Sequence, residues 1–142
     1  MRHDIVVKGT PVSLQAKGTS REAWRRRVKE TARAQIAEAD RFEFIDVSVQ
    51  IIWYCFDWVE GDLDNIAKPI LDGLSGPAYS DDGQVVQLFM RRTDLQKHDQ
   101  LIEIADAPSA LLDQLQDSRH TQEAFVFISV SDGDTIDHKR LT

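Results

Sequence analysis

Residues 43–58 read EFIDVSVQIIWYCFDW, and a little further on residues 64–76 read DNIAKPILDGLSG. The first stretch is rich in β-branched and aromatic side chains, which suit a pleated, buried surface, so it predicts a long central strand. The second predicts a short helix, with Asp64 or Asn65 placed to cap its start and Gly73 or Gly76 near its stop. Pro69 lies inside that helix and has no backbone donor, so the helix is expected to start late or to bend near Lys68. Residues 84–95, QVVQLFMRRTDL, then read as a new strand, which makes a strand–helix–strand excursion the centre of the fold.

Working outward, DIVVKGTPVSL at 4–14 predicts a strand bounded by Gly and Pro. Residues 19–40 predict a helix capped by Thr19 or Ser20. Trp24, Val28, Ala32 and Ile36 recur about once per turn, and the Arg-rich face points away from that stripe. DQLIEIAD at 99–106 is expected to pair with 84–95 as a hairpin across residues 96–98. Beyond residue 106, APSALLDQLQDS reads as a helix, EAFVFISVS as a strand, and DGDTIDHKRLT as a polar, mobile tail. The expected class is α+β: one domain, with a mixed sheet and flanking helices.

The chain's 142 residues are enough for a single domain to bury a core without disulfides. The single Cys55 has no partner in the chain and is expected to be a small buried hydrophobe. No apolar run approaches the roughly 20 residues of a membrane helix, and the opening residues lack the apolar centre of a signal peptide. A soluble, cytoplasmic protein without a membrane partner is the expectation.

The net charge of −7 argues against nucleic acid, but its distribution matters more than its sum. Residues 57–82 hold Asp57, Glu60, Asp62, Asp64, Asp72, Asp81 and Asp82 against Lys68 alone. Residues 21–33 hold six bases, including Arg25, Arg26 and Arg27, against Glu22 and Glu30. The basic run is either a solvated helix face or a contact for DNA backbone. The acidic run is either a set of caps and turns facing water or the seat of a cation. Asp62 and Asp64, two apart at the end of an extended segment, would share a side. Asp81 and Asp82 would return beside them after the helix, and such hard oxygens suit Mg²⁺ or Mn²⁺. Lys68, one turn after Asp64, would stand ready for a phosphate. An EF-hand does not fit, because the loop lacks its Gly and its final Glu.

The order Asp62-x-Asp64-Asn65, Lys68, Asp72-x-Leu74 and Asp81-Asp82-x-Gln84-Val85 resembles the RusA family of Holliday junction resolvases. The resemblance is firmest over residues 60–92 and extends loosely over 4–105. Residues 1–105 would therefore be the endonuclease core, and 106–142 a C-terminal extension of unassigned role packed on the same domain.

That resemblance implies a Mg²⁺-dependent, homodimeric endonuclease that cuts four-way DNA junctions in recombination and repair. It implies that Asp62, Asp64 and Asp82 bind the metal and that Lys68 acts at the scissile phosphate. Asn65, Asp72 and Asp81 would support them, and Arg91 or Arg92 would supply a basic residue on the following strand. Family members are often basic, whereas this chain is acidic. Two other readings share the same residues: a non-catalytic DNA-binding or interaction protein, and a nuclease for other branched nucleic acids.

Overall fold

The computed structural model describes residues 1–56, 61–97 and 107–132. In chain order the elements are β1 (Arg2–Lys8), α1 (Gly18–Gln35), β2 (Val47–Cys55), α2 (Leu63–Leu74), β3 (Val85–Asp94), α3 (Ser109–Thr121) and β4 (Phe125–Asp132). The strands form one sheet in the order β1-β4-β2-β3. β4 runs antiparallel to both its neighbours, and β2 and β3 are parallel. The architecture is therefore α+β with a mixed sheet, as expected. The anticipated strand at 99–106 and the tail at 133–142 lie outside the described residues.

Alternation along the strands divides the core in two. On one face Val47, Val49, Ile51 and Trp53 join Ile5, Val7, Val126, Ile128 and Val130 against Trp24, Val28 and Ala32 of α1 and Ile66, Ile70 and Leu74 of α2. On the other, Ile52, Tyr54, Phe125 and Phe127 pack on Leu111 and Leu115 of α3. Each large apolar side chain removed from water here contributes roughly 1.5–3 kcal/mol. The sheet is thus sandwiched between two helices and one. The run from Phe125 to Ser131 is buried throughout, which follows from β4 lying inside the sheet.

Several boundaries differ from the sequence expectation, each for a local reason. β2 begins at Val47 rather than 43, because Phe44 sits at φ 58°, outside any strand conformation, with its ring 88% exposed. α1 stops at Gln35, where Ile36 turns extended, and residues 38–40 form a separate 3₁₀ turn. Its N-cap is Lys17, without a side-chain cap, rather than Thr19 or Ser20. α2 starts at Leu63, well before Lys68, with Asp62 as N-cap rather than Asp64 or Asn65.

Pro69 does not delay the helix, because its cost is offset elsewhere. The absent N–H at Pro69 frees the Asn65 carbonyl four residues back, and Leu14 N–H donates to that oxygen at 2.8 Å. The loop between β1 and α1 is thereby fastened to the first turns of α2. None of the described helices is long and apolar enough to cross a membrane.

Candidate active site

α2 buries Ile66, Ala67, Pro69, Ile70, Gly73 and Leu74 and turns Asp64, Lys68 and Asp72 outward. Those three are spaced by four residues, so they lie along one side of the helix. Gly73 is what lets this helix approach α1: a Cβ there would stand 2.8 Å from Val28 Cβ and 2.9 Å from the Arg25 carbonyl oxygen.

The chain after α2 is stapled back onto it. Tyr79 is buried and its hydroxyl donates to the Leu71 carbonyl at 2.8 Å. A 3₁₀ turn, Asp82–Gln84, then leads into β3. Asp81 caps this turn, accepting from Gly83 N–H at 3.1 Å, while Gln84 Oε1 accepts from Asp81 N–H at 2.9 Å. The Gln84 amide also donates to the carbonyls of Phe42 and Ile45. Of the two adjacent aspartates, Asp81 is thus a turn residue and Asp82 is left free to face α2.

Asp82 meets Lys68. The ammonium donates to Asp82 Oδ2 at 2.7 Å and lies 3.0 Å from Asp72 Oδ1. Asp72 Oδ2 is 3.8 Å from Arg25 Nη2, and Arg25 is paired with Glu22 at 2.9 Å. The hydrogen bonds to Asp82 and then to Asp72 hold the Lys68 ammonium above its ordinary pKa. Burial, and then the charges of Asp82, Asp72 and Asp81, push the Tyr79 phenol far up.

Asp62 and Asp64 are exposed, and among the described residues neither carboxylate has a hydrogen-bond or ion-pair partner. Asp64 already belongs to α2, so strand alternation does not set the direction of the pair. Asp62 instead lines a cleft of about 450 Å³ with Ser13, Gln15, Ala16, Gly61 and Asn65. Among the described residues no three acidic, imidazole or thiol side chains gather as a metal cage does. The donor chemistry nevertheless fits a hard divalent cation: two unengaged carboxylates at the head of α2, and a third, Asp82, engaged only by an exposed lysine. Asp57 and Glu60 lie outside the described residues.

The arginines do not form one basic face. Arg25 turns toward Asp72 and α2, Arg27 donates to the Lys8 carbonyl at 3.2 Å on the β1 flank, and Arg26 is exposed. Of the Arg25–Arg27 run only Arg26 points directly away from the Trp24–Val28 stripe, since successive residues turn by 100°. Arg91 and Arg92, adjacent in β3, occupy opposite faces of the sheet. Arg92 packs over the Trp53 ring at 5.6 Å, on the α2 side, and Arg91 is on the α3 side near Tyr54.

Sequence reasoning missed Ser13 and Gln15. They are polar loop residues far from Asp62 in the chain, and only the Leu14–Asn65 hydrogen bond brings them to it.

The family model described as endodeoxyribonuclease RusA matches residues 2–105. The matched region contains every side chain of the site and ends before α3 and β4. No curated protein matches the chain.

Proposed function

Because the chain belongs to the RusA family of endodeoxyribonucleases, it is an endonuclease acting on DNA, and we propose that it resolves four-way junctions in recombination and repair with Mg²⁺ held by Asp62, Asp64 and Asp82. The observation that carries this reading is the 2.7 Å contact between Lys68 and Asp82, which unites two separate parts of the motif.

Such an ion, when bound, polarises the phosphodiester and supplies a nucleophile from water at neutral pH. Asp62 and Asp64 offer oxygens that nothing else among the described residues engages. Asp82, now paired with Lys68, would supply the third carboxylate to such an ion. Asp72, balanced by Arg25, keeps the ammonium beside the site, where it donates to phosphate oxygens as negative charge builds up. Asp81 and Gln84 hold the turn that presents Asp82.

The protein works as a homodimer in this reading, since two copies related by a twofold axis can nick two opposed strands. Exposed apolar side chains support it: Val86 and Leu88 of β3, and Phe44 and Ile45 ahead of β2, offer surface that a second copy would cover.

The test is cleavage of a synthetic four-way junction beside linear duplex, with Mg²⁺ or EDTA, by wild type and Asp82→Asn. Paired nicks in the junction alone, from wild type with metal only, are expected. Cleavage of both DNAs would remove the junction claim. The net charge of −7 favours one other reading, a junction-binding protein that does not cut. Tight binding without any cleavage in Mg²⁺ or Mn²⁺ would select it.

A further inference from the structure

The cleft beside Asp62 differs in character from the carboxylate surface around it. Among the described residues its side chains are a hydroxyl, two carboxamides, a methyl and one carboxylate, with no lysine or arginine. A neutral ligand bearing both donors and acceptors suits the lining.

Among the described residues the carboxamides of Gln15 and Asn65 have no hydrogen-bond partner. Each presents a donor and an acceptor side by side, the pattern by which amide side chains pair with base edges. The cleft is open to solvent, with a volume of about 450 Å³.

The walls are also set in advance. Leu14 N–H is fixed to the Asn65 carbonyl at 2.8 Å, and the Leu14 carbonyl accepts from Arg21 at 2.8 Å. Within the loop, Gln15 N–H donates to Ser13 Oγ at 3.1 Å and Ala16 N–H to the Ser13 carbonyl at 3.0 Å. On the opposite wall Gly61 has φ 141°, a conformation that side chains rarely adopt, and it adds no bulk. A ligand entering such a cleft orders little that is not already ordered.

We propose that this cleft takes one unstacked nucleobase next to the scissile phosphate, and that Gln15 and Asn65 read its edge. The inference rests on the reading of Asp62 as part of the cutting site, which places the base beside the bond to be broken. Extrusion costs least for a base that is already unpaired or unstacked, so the cleft would favour a junction arm opened at its branch point.

The experiment uses four-way junctions that differ only in the base at the cut position. Cleavage in Mg²⁺ and binding in EDTA are both measured, for wild type, Gln15→Ala and Ser13→Ala, each checked for a wild-type melting curve. Wild type is expected to prefer some bases, and Gln15→Ala to flatten the ratio of best to worst base by roughly tenfold. A uniform loss across all bases would mean a backbone contact and overturn the inference. So would a wild type without preference, or a preference that Gln15→Ala and Ser13→Ala both leave intact. Should wild type cut nothing, the nuclease reading fails, while the binding panel in EDTA still decides the base preference on its own.

Discussion

Lys68 is held between two carboxylates yet remains largely in water, and those two facts separate its effects on stability and on catalysis. An exposed pair of this kind contributes at most about 1 kcal/mol. Lys68→Met is therefore expected to move the urea midpoint little while slowing single-turnover junction cleavage by roughly a hundredfold or more. Tyr54 behaves in the opposite way. Burial, opposed by the charge of Arg91, pushes its phenol up to about 12. An unfolded chain gives up that proton near pH 10, whereas the native protein keeps it to about 12. Across that window the unfolded state binds fewer protons, so stability falls as pH rises, by roughly 2–3 kcal/mol in all. Among the described residues its buried hydroxyl has no hydrogen-bond partner, so Tyr54→Phe is expected to be neutral or slightly stabilising at pH 7 and to shift alkaline unfolding to higher pH, read by circular dichroism. At this scale the sequence makes the candidate carboxylates and Lys68 legible, because their spacing along the chain is fixed. Spacing alone leaves Asp81 and Asp82 alike, since the two differ in what they face after folding, and only the family resemblance sets Asp82 apart. Gln15 is not legible at all, having no motif and a remote position.

At the scale of elements, the close contact between α1 and α2 is set by one missing side chain. Gly73→Ala would gain about 1 kcal/mol of helix propensity. The new methyl must displace Val28 or the Arg25 backbone, however, and the expected net result is a loss of roughly 1–3 kcal/mol in chemical denaturation. Pro69 has a longer reach. Pro69→Ala returns a donor to the Asn65 carbonyl, so Leu14 N–H faces a competitor within α2. Hydrogen exchange at Leu14 is expected to quicken while the apolar stripe of α2 stays protected. The sequence reveals both helices and β2, since their apolar patterns are strong. It misplaces the start of α2, because the partner that compensates Pro69 lies on another loop, and it misplaces the start of β2, because nothing in the letters marks Phe44 as left-handed.

At the scale of the molecule, the family match ends at residue 105, yet β4, one of the two interior strands of the described sheet, begins at Phe125. A chain cut after residue 105 keeps every proposed site residue and loses the strand between β1 and β2. It is expected to show no cooperative thermal unfolding and no cleavage, a result checked by calorimetry and by the junction assay. A strand at 123–131 is legible from its apolar run, but not its place in the sheet, because pairing order is decided by contacts between distant residues. That place has a consequence for how the protein is made. Lys8 finds its neighbour in β4 only when Phe125 has been synthesised, so until then β1 has none of the described strands beside it. Closing so long a loop is entropically costly and slow, and the sheet cannot be built up progressively from one end. The nascent chain carries two open strand edges and an uncovered apolar surface until a single late segment slots between them. Shielding during synthesis, rather than stability once folded, is where this fold is most exposed to failure.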